Sequence, residues 1–135
     1  MKRLLFLVLL CSPLLFTSCE EKYYGAYVET HYIPVSSSDW RDVGTYGQPG
    51  FFIKARFSAP YITPDVIDNG AVVVYAIFSD ADVQLPYVLT RDVGYTIIEM
   101  LGYQLKDGVI EFTIDNSDFK AEPYSQIEFK IVVIR

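Results

Sequence analysis

The sequence contains little histidine and little cysteine, which narrows the chemistry that it can support. Its only histidine is His31, and its only cysteines are Cys11 and Cys19. A zinc site built from several histidine or cysteine ligands is therefore excluded. The chain has no Gly-x-Ser-x-Gly segment, so a serine hydrolase built on a nucleophile elbow is excluded as well. We expect His31 to be a partly exposed strand residue, and we predict no metal, no cofactor and no catalytic residue.

Basic residues are also scarce. The chain carries 11 lysine and arginine residues against 17 aspartate and glutamate residues. Once a leader containing Lys2 and Arg3 is removed, nine basic residues remain and the net charge becomes −8. These nine form no cluster along the sequence, which argues against binding nucleic acid through phosphate contacts. The acidic residues are spread along the chain, and we expect them to serve solubility.

The first nineteen residues carry the clearest signal in the chain. Lys2 and Arg3 are followed by an almost unbroken apolar run at residues 4–16 and then by Thr17-Ser18-Cys19. This order is typical of a secretory signal peptide, which we predict at residues 1–18 and expect to be removed. Its apolar core of 13 residues is too short to cross a hydrocarbon layer of about 30 Å as a helix.

The cysteine at the predicted cleavage point resembles the lipobox of bacterial lipoproteins. The lipobox usually has leucine three residues before the cysteine, whereas this chain has Phe16 there and Leu15 one position earlier. The resemblance implies that Cys19 is acylated, becomes the mature N-terminus and anchors the protein to a membrane. Removal of Cys11 with the leader leaves Cys19 without an internal disulfide partner, and acylation accounts for that thiol. The alternative is an unmodified thiol beside a conventional cleavage site.

An acidic pair, Glu20 and Glu21, follows the predicted lipidated cysteine. Such a pair resembles the export signal of Bacteroidetes-type lipoproteins, which directs them to the outer face of the outer membrane. We therefore predict a location in the cell envelope, at the outer membrane and on the cell surface. The periplasmic side of the outer membrane and the inner membrane are the alternatives.

The composition of the mature chain favours strands. All 11 tyrosines, seven of the nine phenylalanines and the one tryptophan follow residue 19, and aromatic residues are enriched in β-sheets. We predict a lipidated cysteine and short tether at residues 19–25, followed by a single domain at residues 26–135.

Seven strands are predicted from alternating or continuous apolar runs. They lie at 26–33, 51–58, 71–78, 84–90, 94–105, around 110–114 and at 126–134. Residues 36–50 are predicted to form a long loop, and Asp107-Gly108 a tight type I′ hairpin turn. One short helical turn is expected at 64–69, with Thr63 as its cap and Gly70 as its stop. The sequence thus predicts an all-β fold, an antiparallel two-sheet sandwich of the Ig-like or jelly-roll-like kind. A partly closed barrel is the alternative.

A second resemblance covers about 26 residues. The run 62–70, the strand residues 72–75 and Leu85-Pro86-Tyr87 are similar to a pattern in small uncharacterised Bacteroidetes-type secreted proteins. In that pattern a capped turn leads into a central strand, and a Leu-Pro-Tyr segment follows. The resemblance supports the fold and the location, and it implies no activity.

Paired acids are the remaining route to metal binding or catalysis. Asp80-Ala81-Asp82 and Asp115-Asn116-Ser117-Asp118 carry oxygen ligands of the kind that calcium takes. Neither has the Asp-x-Asp-x-Asp-Gly spacing, and both segments are rich in residues typical of turns. We predict ordinary turns at both places. A glycosidase needs two carboxylates facing each other across a cleft, which sequence spacing does not reveal, and we predict that the protein is not an enzyme.

Aromatic residues are the better candidates for a binding site. Trp40 lies among Ser38, Asp39, Arg41 and Asp42 in the predicted loop, and Tyr46 and Gln48 follow it. Flat aromatic rings flanked by amides are typical of sugar-binding sandwiches, so Trp40, Tyr46 and Gln48 are predicted as candidate ligand-binding residues. The alternative is that Trp40 plugs one end of the core.

Two functions from different classes follow. The first is a lipid-anchored, non-enzymatic accessory or protein-interaction module of the cell envelope. The second is a glycan-binding surface lipoprotein of a polysaccharide uptake system. The predicted partners are the membrane, through the lipid anchor, and either a surface protein or a glycan. Nucleic acid is not among them.

Overall fold

The computed structural model describes residues 25–135; the predicted leader, Cys19 and most of the predicted tether lie outside the described residues. Among these residues, no helix combines the length and the apolar character needed to cross a membrane. The described chain forms one short helix, α1 (Pro64–Asn69), and one 3₁₀ turn (Ser37–Asp39). Its strands are β1 (Val28–Ser36), β2 (Trp40–Val43), β3 (Phe52–Ser58), β4 (Ala71–Ile77), β5 (Asp82–Gln84), β6 (Tyr87–Asp92), β7 (Thr96–Lys106), β8 (Val109–Asn116) and β9 (Gln126–Ile134).

The strands form two antiparallel sheets packed face to face. One sheet has four strands in the order β1-β9-β4-β5, and the other has five in the order β2-β3-β8-β7-β6. Each sheet keeps two edge strands, so the described part of the chain does not close into the barrel that was the alternative fold. The predicted all-β sandwich is confirmed.

Alternation of apolar and polar residues decides which side chains form the core. In β9, every second residue is apolar, and these four residues, Ile127, Phe129, Ile131 and Val133, are all buried. Strand β9 has the bounds that were predicted from the sequence. The stacked rings of Phe112 and Phe129, with centroids 3.8 Å apart, join the two sheets at the centre of the core. Both rings are fully buried, so this pair contributes a large share of the buried apolar area.

Helix α1 forms where its capping residues predict it. The Thr63 hydroxyl oxygen accepts a hydrogen bond from the Val66 N–H at 3.3 Å, and Pro64 occupies the first turn. Gly70 ends the helix, but its φ of −99° is not left-handed. The glycine is needed for a different reason, because a Cβ there would lie 2.5 Å from the carbonyl oxygen of Ile134.

The prediction of a long loop at residues 36–50 was wrong in its first half. The segment contains the 3₁₀ turn and then β2, in which Trp40 lies opposite Ala55 and Val43 opposite Phe52. Strand β2 is four residues long and has no local apolar alternation, so it is a strand because β3 offers it hydrogen bonds. Strand β5 was missed for the same reason, since it has three residues and is fixed by pairing with β4.

The hairpin between β7 and β8 also differs from its predicted geometry. Of the two turn residues only Gly108 has a positive φ, of 67°, whereas a type I′ turn needs one at Asp107 as well. The turn between β7 and β8 is held by hydrogen bonds to the segment between β3 and α1. The Gly108 N–H donates to the Ile62 carbonyl oxygen, and the Gly108 carbonyl oxygen accepts from the Ala59 N–H, both at 2.8 Å.

The sandwich has two distinct ends. At one end the Tyr27 N–H donates to the carbonyl oxygen of Arg135 at 2.8 Å, so the chain enters beside the last residue of the described domain. At the other end lies the connection between β8 and β9, residues 117–125. The nine residues of β9 span the whole distance between these ends, which is about 30 Å at the usual rise per strand residue.

Candidate functional site

The structure separates the three candidate ligand-binding residues. Trp40 faces inward from β2 and is only 6% exposed, which places its indole in the core, as the alternative interpretation had it. Tyr46 and Gln48 lie in the connection between β2 and β3, where both side chains are exposed. The three side chains therefore do not form one flat platform. Pairing of β2 with β3 is the physical reason, because it turns alternate residues of β2 toward the opposite sheet.

The Tyr46 ring instead borders a cleft at the end of the sandwich formed by residues 117–125. This cleft has a volume of about 300 Å³ and lies beside the inner face of the five-stranded sheet. Its floor and walls come from β6, β7, the end of β8 and the connection that follows β8. The lining residues include Tyr46, Arg91, Tyr95, Glu99, Asn116 and Asp118, with Lys120 and Glu122 at the rim.

The floor of the cleft contains a buried carboxylate. Glu99 shares the inner face of β7 with Ile97 and Leu101, and it is only 1% exposed. Its Oε1 accepts a hydrogen bond from Arg91 Nη2 at 2.9 Å and another from the Tyr124 hydroxyl at 2.5 Å. Burial of a carboxylate is tolerated only with such partners. The sequence could have indicated that Glu99 faces inward, because it lies two residues from each of two apolar residues, Ile97 and Leu101, on the same face of the strand.

Tyr124 links the connection 117–125 to the sheet. Its hydroxyl donates to Glu99 and accepts from Arg91 Nη2 at 2.8 Å, and the Arg91 guanidinium lies 5.3 Å from the centre of its ring. The Tyr124 ring meets that of Phe78, the residue that follows β4, at an angle of 64° with the ring centroids 5.8 Å apart. Burial, reinforced by the hydrogen bond to Glu99, raises the pKa of Tyr124 to about 12. The phenol therefore remains a neutral donor at all physiological pH values.

Beside Glu99 lies a buried amide with an unused acceptor. Asn116 is directly opposite Glu99 in the β7–β8 ladder and is 7% exposed. Its Nδ2 donates weakly to the Lys120 carbonyl oxygen at 3.5 Å, whereas its Oδ1 has no hydrogen-bond partner among the described residues. A buried acceptor left without a donor costs free energy.

The rim of the cleft combines aromatic and charged side chains. The Tyr95 ring is about half exposed, and its hydroxyl donates to Asp118 Oδ2 at 3.1 Å. The other oxygen of Asp118 accepts from the Lys120 N–H at 3.1 Å. The turn predicted at 115–118 is present only in its second half, because Asp115 and Asn116 belong to β8. The Ser117 hydroxyl oxygen accepts from the Ile98 N–H at 3.0 Å. Asp118 thus organises the loop, and the arrangement suits a polar ligand held between tyrosines.

Metal binding has no further support in the part of the chain that the structure describes, where no three histidine, cysteine or acidic side chains gather around one point. In the second predicted turn, Asp82 begins β5 and pairs with Lys130 at 2.5 Å. His31 lies in β1, where its ring stacks on Tyr61 with centroids 3.6 Å apart. It also bonds to Glu29 at 3.1 Å. These contacts give His31 a structural environment at the edge of the sandwich.

No protein-family model, curated protein or solved structure matches the chain significantly.

Proposed function

We propose that the protein is a lipid-anchored component of a bacterial cell envelope and acts there as a non-enzymatic interaction module. The observation that carries the proposal is the order of its first residues: Lys2 and Arg3, the apolar run 4–16, and Thr17-Ser18-Cys19. The acidic pair Glu20-Glu21 extends the proposal to the outer membrane and the cell surface. Because two or three acyl chains hold a protein firmly to a bilayer, lipidation of Cys19 suffices as the anchor.

The two ends of the sandwich support this arrangement. A tether attached before residue 25 reaches the domain at Tyr27, beside Arg135. The cleft around Glu99 lies at the opposite end, one full strand length away. An anchored domain of this shape therefore keeps its cleft at the end farther from the membrane attachment.

The outer face of β6 and β7 supports the protein-interaction role. Val88, Ile98 and Met100, which we name the apolar strip, are 56%, 51% and 44% exposed. Val88 and Met100 lie directly opposite each other in the ladder, so their side chains form one continuous surface. Strand β6 is also an edge strand of the five-stranded sheet. An open edge beside an apolar surface suits an extended segment of a partner protein that adds as a further strand.

The anchor is tested with the full chain produced in its own envelope. Cys19→Ser is expected to move the protein from the detergent phase to the aqueous phase in a Triton X-114 partition, because the variant cannot be acylated. Cys11→Ser, within the predicted leader, is the matched control and is expected to partition like the unaltered protein. Mass spectrometry that finds an unmodified thiol at Cys19 in the envelope fraction overturns the proposal.

The partner contact is tested by site-specific photo-crosslinking in intact cells. A photo-reactive residue at position 98 is expected to give a discrete protein adduct, and the same residue at exposed position 32 on the other sheet is expected to give none. The adduct should disappear when Val88→Glu and Met100→Glu make the apolar strip charged. An adduct that persists in that double variant, or no adduct at all, rejects this surface as the contact.

The cleft favours a second candidate function, glycan binding. Two exposed rings, Tyr46 and Tyr95, line the cleft, and the charged side chains that line it with them are of both signs. Concave sites with aromatic walls and a few fixed polar groups are typical of small-ligand sites. Both Glu99 and Asp118 are committed to hydrogen bonds that hold the fold, which favours binding over proton transfer.

Calorimetric titration against a panel of neutral polysaccharides tests this candidate. Tyr46→Ala with Tyr95→Ala is expected to abolish any heat of binding, while Tyr27→Ala with Tyr32→Ala, equally exposed and outside the cleft, is expected to preserve it. If no polysaccharide binds, or if the control pair abolishes binding equally, the glycan candidate is wrong.

A further inference from the structure

The fold gathers basic residues that are scattered in the sequence. Arg41, Lys54, Arg56 and Lys106, which we name the cationic face, all lie on the outer surface of the five-stranded sheet, on strands β2, β3 and β7. They are four of the eight basic residues in the described chain, which carries 15 acidic ones over the same residues. An acidic protein therefore presents one surface on which positive charge prevails.

The strand register brings these charges close together. Arg41 lies directly opposite Lys54 in the β2–β3 ladder, and Arg56 follows Lys54 on the same face two residues later. Residues directly opposite in antiparallel strands have Cβ atoms about 5 Å apart, and like charges in such pairs destabilise a sheet. The Arg41–Lys54 pair therefore places two like charges side by side, which lowers the stability of the sheet.

A single carboxylate neutralises part of the cationic face. Glu111 on β8 lies 3.0 Å from Lys106 Nζ, 3.6 Å from Lys54 Nζ and 3.5 Å from Arg56 Nη1. The hydrogen bond from Lys106 and the charges of all three cations lower the pKa of Glu111, while its burial opposes them. One negative charge among three positive ones leaves an excess that the protein does not balance at this point.

Arg41 adds a fourth charge, and it has no direct carboxylate partner among the described residues. Its Nη1 donates to the carbonyl oxygens of Ser38 and Trp40. A shallow depression of about 380 Å³ is lined by Asp39, Arg41, Lys54 and Arg56. Asp39 accepts hydrogen bonds from the N–H and the hydroxyl of Ser36 at its Oδ2, so one negative charge faces the three cations there. The surface is thus concave as well as positive.

We propose that the cationic face binds an anionic polysaccharide, through its carboxylate, sulfate or phosphate groups. Arginine and lysine donate charge-assisted hydrogen bonds to these oxyanions, which are roughly twice as strong as neutral ones. The proposal goes beyond the proposed function, because neither the anchor nor the cleft nor the apolar strip uses these residues.

Charge and composition favour a polysaccharide over nucleic acid or a lipid surface. The described residues carry a net charge of −7, since 15 acidic residues outnumber eight basic ones, and this charge repels a densely charged polymer or bilayer. Of the neighbouring outward-facing residues, Gln104 and Thr113 are polar, and Phe52 on β3 is the one aromatic residue among the described strands of this face and is partly buried. Single-stranded nucleic acid sites usually stack bases on aromatic rings, and surface-bound membrane helices insert apolar ones. A sparsely charged glycan matches a small patch of four cations.

The test compares lightly carboxymethylated dextran, a sparsely charged anionic polysaccharide, with unsubstituted dextran, using the full chain in a non-ionic detergent. The carboxymethylated dextran is expected to bind and unsubstituted dextran is not. Arg41→Gln with Arg56→Gln should weaken binding about tenfold or more, because two charge-assisted contacts are lost. Lys130→Gln with Arg135→Gln removes the same charge at the other sheet and should change affinity less than about twofold. At about 1 M salt, where the Debye length is about 3 Å, binding should vanish.

A double variant that keeps both positive charges shows whether a loss of binding comes from the lost charges or from a disturbed fold. Arg41→Lys with Arg56→Lys keeps the charges and is expected to bind within about threefold of the unaltered chain. If the control pair weakens polysaccharide binding as much as Arg41→Gln with Arg56→Gln does, the effect is one of net charge and the proposal is overturned. Binding of unsubstituted dextran with the same affinity as the charged polysaccharide also overturns it. Tighter binding of a single-stranded oligonucleotide or of anionic phosphatidylglycerol vesicles than of the carboxymethylated dextran assigns the surface to another partner and also overturns it.

Discussion

The Tyr124 hydroxyl donates a hydrogen bond to the buried carboxylate of Glu99, and this bond joins the connection 117–125 to the middle of β7. The two residues are far apart in sequence and come from an irregular segment and a strand. Arg91 contacts both, so the three side chains form one small network at the floor of the cleft. The shape of the cleft therefore depends on a contact that also stabilises the fold.

Tyr124→Phe is expected to lower the free energy of unfolding by about 2 kcal/mol, because a buried carboxylate loses one of its two donors. The effect should depend on pH in a defined direction. Burial and the hydrogen bond to Glu99 raise the pKa of Tyr124 from its ordinary value of 10.0 to about 12 in the folded protein. The neutral phenol is therefore favoured by folding, and its contribution is complete below pH 10 and lost as the pH rises toward 12.

Urea unfolding between pH 7 and alkaline pH measures this effect, with tyrosinate absorbance as a second readout. Tyr32→Phe, at an exposed position, is the control and should leave the unfolding curve unchanged. The alkaline loss of stability should be smaller in Tyr124→Phe than in the unaltered protein. Equal alkaline profiles for the two would show that the Tyr124–Glu99 bond contributes nothing.

Local patterns in the sequence predicted the parts of the fold that local forces determine. The alternation in β9 gave its bounds, and the Thr63 cap gave α1. Strands β2 and β5 were not predicted, because they are short and lack alternation of apolar and polar residues. Strand β2 is extended because it pairs with β3, and β5 because it pairs with β4.

The candidate site was less predictable, because its members come from distant segments. Tyr46 was identified from its loop, whereas Arg91, Asn116 and Tyr124 meet Glu99 only once β6, β7 and β8 are in register. Only Glu99 carried a local signal, as an acid in phase with buried neighbours. The cationic face was invisible for the same reason, since Arg41 and Lys54 become neighbours only through the β2–β3 ladder.

Gly70→Ala is expected to destabilise the domain by about 2–4 kcal/mol, because a Cβ there lies 2.5 Å from the Ile134 carbonyl oxygen and 2.9 Å from that of Val66. Both obstacles are backbone atoms, so they cannot move aside as a flexible side chain does. Gly25→Ala is the control, since a Cβ at that position meets nothing within 4 Å. Thermal unfolding compares the two, and equal melting temperatures would contradict the close approach of α1 to β9.

Phe129→Ala is expected to cost about 3–5 kcal/mol, since it removes a fully buried ring that stacks on Phe112 between the two sheets. Phe129→Leu retains most of the volume and should cost less. Fluorescence of Trp40 reports the transition, because this single tryptophan is buried in the same core. A loss below 1 kcal/mol for Phe129→Ala would mean that the two sheets are not joined at this point.

Glu111→Gln is expected to lower stability by about 1 kcal/mol at neutral pH and low salt, because it leaves Lys54, Arg56 and Lys106 without their shared counter-ion. The hydrogen bond from Lys106, together with the charges of the three cations, holds the pKa of Glu111 below its ordinary value of 4.5. The stabilisation is therefore complete above about pH 4.5 and is lost as the pH falls through the lowered pKa.

Denaturant titrations from pH 7 to pH 3 should show that the difference in unfolding free energy between Glu111→Gln and the unaltered protein closes at the acid end. Glu128→Gln, at an exposed position on β9, should show no such gap at any pH. A gap for Glu111→Gln that stays constant down to pH 3 would mean that the loss arises from packing and not from charge.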